Sequence, residues 1–324
     1  PGFAMFRDQE RAAFVVSFSL AVLAGLGYAV LRDRWRGLRL ALPALALAVV
    51  ADLFLANAGV IVQPAPAGGY FAGNSALAFM QQFEEPRIWR VAGEGLLPGG
   101  PNAGLVFRMR SIEGSGPLYL EDTDRLFGQL DEVRWWQLMN VAFSLTRREL
   151  DGPAVAQRAD EGDHRLYQLY YGGAPAWIVH DAAVAEGKDA AMARTADPAL
   201  DPRATVVLEA PPAVAPAPAA GEESVQIVEF AHQRIVAEAT LTSPGIVVFS
   251  EVAYPGWTVR ANGAPAEWQR AYGLLRAVAL PAGEWRIEWT FRPPAALAGL
   301  GISLATLLVL AGALFRAPSP PSPL

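Results

Sequence analysis

Three stretches of the chain carry no charge over unusual lengths: Ala12–Leu31, Leu40–Ala51 and Pro293–Phe315. About 20 apolar residues cross a bilayer as a helix. The pattern therefore predicts transmembrane helices over about 12–31, 38–60 and 295–315. Between the second and third stretches the periodicity is that of a folded polypeptide. Residues 63–74 are rich in Pro, Ala and Gly and read as a linker. Asn74 or Ser75 then caps a short helix to about Phe83. Strands are expected at Arg87–Val91, Gly104–Ser111, Ala142–Thr146, Arg165–Tyr171, Ala176–His180 and Thr205–Leu208. Helices are expected at Thr123–Leu130, Val133–Val141 and Ala190–Ala196, giving a mixed domain over 75–210.

A second Pro/Ala run over 211–223 marks a boundary, and beyond it the pattern is all-β. Trp285, Ile287, Trp289 and Phe291 alternate with polar neighbours from Glu284 to Arg292, the period of a strand with one buried face. Asn262-Gly263 between Trp257–Ala261 and Ala264–Trp268 predicts a hairpin, because a type I′ turn needs positive φ at both central residues. With Val225–Phe230, Ile235–Leu241 and Gly245–Val252 these segments predict a β-sandwich over 224–294. The fold class expected is thus a membrane protein with α-helical spans plus an extracytoplasmic α+β region and a C-terminal β-sandwich.

Charge gives that expectation a direction. Arg32, Arg34, Arg36 and Arg39 crowd the loop between the first two stretches, which places it on the cytoplasmic side. The region 61–294 has 19 basic and 28 acidic residues, and the remainder 7 basic and 4 acidic. Acid thus segregates to the outside, and the expected localisation is a bacterial cell membrane, multi-pass, with a cytoplasmic tail at 316–324. The chain opens on Pro1 and reads as the C-terminal part of a longer protein. Only 18% of its 324 residues are charged, against about 25% in ordinary globular domains. A net charge of −6 and the lack of a basic arm argue against nucleic acid as a partner.

Candidate chemistry is sparse. With no cysteine, and with histidine only at His164, His180 and His232, neither a metal centre nor a cofactor is expected. Gly93-Glu94-Gly95 and Gly114-Ser115-Gly116 read as turns rather than phosphate loops. Asp52 interrupts the second apolar stretch, either near its outer interface or in a membrane-embedded site that Asn57 could join. Tyr254 and Trp257 flank Pro255-Gly256 at a strand edge and are candidate ligand-binding faces, whereas Trp285 and Trp289 sit in the buried register.

The run Ser250-Glu-Val-Ala-Tyr-Pro-Gly-Trp-Thr-Val, the Asn262-Gly263 turn, Arg276-Ala-Val-Ala-Leu-Pro-Ala-Gly-Glu-Trp, Phe291-Arg-Pro and Gly299-Leu-Gly-Ile-Ser-Leu together resemble the C-terminal signature of the YfhO family of bacterial membrane proteins. Leu138–Thr146, Ala174–Trp177 and Leu200–Glu209 are similar to further stretches of that family, with Ala142 and Ala176 where it often carries lysine and arginine. The resemblance implies a glycosyltransferase-related protein that assists transfer of sugar from a polyprenyl-phosphate donor to an envelope glycopolymer at the lipid bilayer. It places the catalytic acid in an N-terminal bundle outside this chain, so no catalytic residue is assigned here. The alternative is a non-catalytic module that binds surface polysaccharide or scaffolds a partner.

Overall fold

The computed structural model describes residues 10–34, 41–61, 67–84, 88–116 and 120–316, in two compact units, Pro1–Tyr70 and Phe71–Leu324. The first holds helices α1 (Glu10–Arg34), α2 (Ala41–Ile61) and α3 (Ala67–Tyr70). Residues 35–40 of the arginine-rich segment, 62–66 of the expected linker and the tail at 317–324 lie outside the described residues.

The second unit opens with α4 (Ser75–Met80), capped by Asn74, whose Oδ1 accepts from the Leu77 N–H at 2.9 Å. There follow β1 (Arg90–Ala92), a 3₁₀ turn at Ala103–Leu105, β2 (Arg110–Ser111), α5 (Glu121–Phe127), α6 (Glu132–Leu138), β3 (Val141–Thr146), β4 (Val155–Asp160) and β5 (Arg165–Leu169). These strands form a mixed sheet in the order β2-β1-β3-β5-β4. Its core joins Leu77 and Met80 of α4 to Val91, Phe143, Leu145 and Leu166.

The chain continues as β6 (Ala176–Val179), β7 (Asp181–Val184), α7 (Lys188–Thr195), β8 (Thr205–Leu208), β9 (Ser224–Ala231), β10 (Arg234–Leu241), β11 (Gly245–Val252), β12 (Trp257–Ala261), β13 (Ala264–Ala266), β14 (Trp268–Ala271), β15 (Leu275–Leu280), β16 (Gly283–Phe291) and α8 (Pro294–Arg316). Two sheets result. One is antiparallel in the order β13-β12-β16-β10-β9; the other is six-stranded and mixed, β6-β11-β15-β14-β8-β7, with β7 and β8 parallel. Strand β11 is buried on both faces. Ile246 and Val248 join the core that holds α6 and α7, while Val247 and Phe249 join the core shared with β10, β12 and β16. A run such as Gly-Ile-Val-Val-Phe is what a strand covered on both sides requires.

Two expectations are corrected. The self-contained β-sandwich over 224–294 does not form, because β11, β14 and β15 complete a sheet begun by β6, β7 and β8 upstream of the Pro/Ala run. The architecture is mixed α/β. Nor does any helix among the described residues have the length and apolarity to cross a membrane. The expected spans, the multi-pass localisation and the extracytoplasmic placement of 61–294 fall with that finding. A charge-free run in sequence is not the same quantity as an apolar helix. Helix α1 takes in Glu10, Arg11, Arg32, Asp33 and Arg34, α2 takes in Pro43, Asp52 and Asn57, and α8 runs from Pro294 to Arg316.

The Pro/Ala run is tied down at its end. Ala217 N–H donates to the Pro244 carbonyl at 2.9 Å, and Glu223 accepts from the Thr242 N–H at 2.7 Å and from His180 Nε2 at 2.6 Å. His180 Nδ1 faces the Pro244 carbonyl at 3.1 Å, so both ring nitrogens meet acceptors and the imidazolium satisfies both. Burial alone would lower the His180 pKa, but the Glu223 carboxylate outweighs it and raises it above 6.5. Burial likewise opposes ionisation of Glu223, and hydrogen bonds from His180 and Thr242 hold its pKa below 4.5. The histidine contribution is full below 6.5 and lost as pH rises through the higher folded value. The Glu223 contribution is full above 4.5 and lost as pH falls through its lower folded value. Thermal stability should therefore fall as pH is raised through the folded-state pKa of His180, and His180→Gln should flatten that limb. An unchanged slope in His180→Gln would exclude the pair as its origin.

Candidate functional site

The sequence-predicted ligand residues fall in different places. Asp52 is exposed on α2 in the N-terminal unit. Tyr254 and Trp257 are brought together at the end of the β11–β12 turn, both against Phe291, with ring centroids 6.3 and 5.1 Å away. Gly256 between them has φ of 109°, and a Cβ there would meet the Pro293 backbone at 3.0 Å, so glycine is required for the turn. Tyr254 is 46% exposed. Trp257 is half-buried, and one face of its ring is covered by the Arg276 guanidinium at 3.8 Å. Neither residue lines either of the two cavities described next.

The first cavity, about 780 Å³, lies beneath the turns at 93–95 and 114–116. Those turns are the two glycine pairs of the sequence, and Glu94 itself adopts a positive φ of 46°. Trp135 and Trp136 of α6 form its floor, and Phe127 at the end of α5 packs edge-on to Trp135 with centroids 5.2 Å apart. Four carboxylates line it, Glu94, Glu113, Asp124 and Glu132, and no Lys, Arg or His does. Arg148 bridges two of them, reaching Glu132 at 2.7 Å and Glu94 at 3.2 Å. Glu94 also accepts from Thr146 Oγ1 at 2.8 Å. Two buried polar atoms on lining residues, Trp135 Nε1 and Thr123 Oγ1, have no hydrogen-bond partner among the described residues. Trp135 is only 2% exposed, and its indole nitrogen is buried away from solvent.

The second cavity, about 720 Å³, has the opposite charge. Arg90, Arg108, Arg110 and His232 line it, and it shares Asn102 and Glu113 with the first. The shared wall is a clasp: Asn102 Nδ2 donates to the Ser115 carbonyl at 2.8 Å, and the Ser115 N–H donates back to Asn102 Oδ1 at 2.8 Å. Behind the cavity, Glu251 accepts from Arg90 at 2.9 Å and Arg110 at 2.6 Å. Burial pushes the Arg90 guanidinium down to about 10, and does the same to Arg276. Burial also opposes ionisation of Glu251, but Arg90, Arg110 and Arg276 together hold its carboxyl below the ordinary range.

Both cavities are assembled from residues that no short motif links. Glu94, Ser115, Thr123 and Trp135 meet only once α5 and α6 have docked, and Arg90 meets Ser250 across 160 positions. The signals available in the sequence were the Trp135-Trp136 pair and the two glycine turns. Among the described residues, no group of His, Asp and Glu is arranged to hold a metal ion. Comparison with protein families, with curated proteins and with solved structures gives no match to this chain.

Proposed function

We propose that this chain is a glycan-binding module that serves sugar transfer without catalysing it. The observation that carries the reading is a cavity lined by the carboxylates Glu94, Glu113, Asp124 and Glu132 together with the aromatic rings of Phe127, Trp135 and Trp136. Sugars present hydroxyl donors and acceptors around an apolar ring face. Carboxylates accept from the hydroxyls, and aromatic side chains cover the C–H face. Two of the four carboxylates, Glu94 and Glu132, are tied in place by the Arg148 guanidinium. The resemblance of residues 250–259 and 276–285 to a glycosyltransferase-related family supports a place in sugar transfer. Polyprenyl-phosphate sugars and envelope glycopolymers are the ligands it suggests.

The test is titration of the full chain with glucose, N-acetylglucosamine and their oligomers, followed by tryptophan fluorescence and calorimetry. Saturable binding that Phe127→Ala weakens by about fivefold, or about 1 kcal/mol, is expected. Tyr254→Ala serves as the contrasting variant. Absence of saturable binding to any of these sugars overturns the reading. So does binding that Tyr254→Ala abolishes and Phe127→Ala leaves intact.

A further inference from the structure

The basic cavity has more positive charge than its surroundings neutralise. Arg90, Arg110 and Arg276 gather around a single carboxylate, Glu251. Arg90 is fully engaged: its Nη1 donates to the Met139 carbonyl at 2.6 Å and to Ser250 Oγ at 3.0 Å, its Nη2 to the Ser250 carbonyl at 2.8 Å. Arg110 donates to the Ile88 carbonyl at 3.0 Å and lies over the Phe230 ring at 4.6 Å. Arg276, 1% exposed, is held between the rings of Trp257 and Trp289, yet its Nε and Nη1 have no hydrogen-bond partner. Arg90, Arg108 and Arg110 on the cavity wall, with Arg276 near Glu251, outnumber the two carboxylates close to them, Glu251 and Glu113. Charge buried in that manner is costly unless a partner is supplied.

At the mouth of the same cavity Arg108 is exposed and, among the described residues, has no hydrogen bond or ion pair. Its backbone is in the left-handed region with φ of 53°, a conformation that ordinary side chains rarely adopt. The strand expected over 104–111 is broken there, and the break carries Arg108 to the cavity instead of along a sheet. His232, in the turn between β9 and β10, also lines this cavity. The fork of a guanidinium matches two oxygens of a phosphate or carboxylate, which an ordinary chloride ion cannot exploit.

We infer that this second cavity takes the oxyanion of an anionic glycan, a phosphate ester or a uronate carboxylate, whose sugar ring occupies the first cavity. The inference rests on the glycan reading of that first cavity. Asn102, which lines both cavities and is clasped to Ser115, is the point over which such a ligand passes. The acidic ring of the first cavity disfavours an anion there, so charge on the ligand also fixes which end goes where.

The experiment compares glucose, glucose 1-phosphate, glucuronate and inorganic phosphate as ligands of the full chain and of Arg108→Gln, by calorimetry and tryptophan fluorescence. At least one acidic sugar should bind about tenfold more tightly than glucose, equivalent to about 1.4 kcal/mol. Arg108→Gln should remove most of that gain, leave glucose affinity unchanged, and leave the melting temperature unchanged. The gain should also shrink with rising ionic strength. Which acidic sugar gains more identifies the anion. Glucose binding with no gain for either acidic sugar overturns the inference and leaves the glycan reading standing. A gain that survives Arg108→Gln overturns it as well. If no sugar binds but inorganic phosphate does, and does so only with Arg108 present, the glycan reading fails and the anion site stands. If nothing binds, both fail.

Discussion

Replacing Glu251 by glutamine should destabilise the protein by about 3–5 kcal/mol, the range for removing one member of a buried charge cluster. Glutamine keeps the volume and one acceptor oxygen, so packing is not the cause of the loss. What changes is charge: Arg90, Arg110 and Arg276 would surround a neutral group. Arg90 has nowhere else to send its charge, since its other contacts are the Met139 and Ser250 carbonyls and the Ser250 hydroxyl. The deficit should depend on pH. The folded Glu251 carboxyl titrates below its ordinary value of 4.5, so its contribution is present above that value and lost as pH falls through the lower folded one. The two proteins should therefore converge in acid. Urea denaturation at neutral and acidic pH measures both, and a difference under about 1 kcal/mol at neutral pH would show the cluster to be solvated. Adding Arg110→Gln to Glu251→Gln should recover part of the loss, because a repulsive charge is removed with its counterion.

Trp289→Ala should cost a similar amount, about 3–5 kcal/mol. Trp289 is 0% exposed, the largest of the fully buried side chains. Its ring packs edge-on to Phe249 at 5.4 Å and Trp268 at 5.8 Å and carries the Arg276 guanidinium at 4.7 Å. Alanine would leave a void on the core side and strip Arg276 of one of its two aromatic faces. Trp285, in the same register of β16, is only half-buried, near the turn, and its indole donates to the Pro281 carbonyl at 2.9 Å. Trp285→Ala should cost about half as much. Thermal melts of the two variants test the contrast. An unchanged melting temperature in Trp289→Ala would mean that the buried face of β16 is not where the packing energy resides.

The difference between those two tryptophans shows what a sequence can and cannot specify. Alternation along 284–292 locates a strand and its inward face, because the side-chain period is a local property. Depth is not local: it depends on whether β11, β15 and β12 cover that point of the face. The Asn262-Gly263 hairpin was legible for the same reason, both residues taking positive φ of 49° and 81°. So was the Asn74 cap. Strand β4 escaped notice because its outward residues are small or charged and its pairing with β5 has a register shift at Gln157/Ala159. The stretch 104–111 misled in the opposite direction. Its apolar residues look like a strand, but a 3₁₀ turn and the backbone of Arg108 break it. Both cavities were invisible because their charges converge from separate elements, Glu94 to Glu132 in the first and Arg90 to His232 in the second.

The six-stranded sheet also sets a schedule for synthesis. Strand β6 pairs with β11, some 70 residues later, and β8 pairs with β14 across the Pro/Ala run. Until β11 and β15 have left the ribosome, β6 and the parallel β7–β8 pair have an open edge and an uncovered apolar face. Pairings so distant make folding slow and the nascent chain dependent on protection. The tethering of 217–223 to Pro244 and Thr242 then gains a second meaning. By fixing the connecting segment beside the entry to β11, it shortens the search that the last central strand must make for its slot.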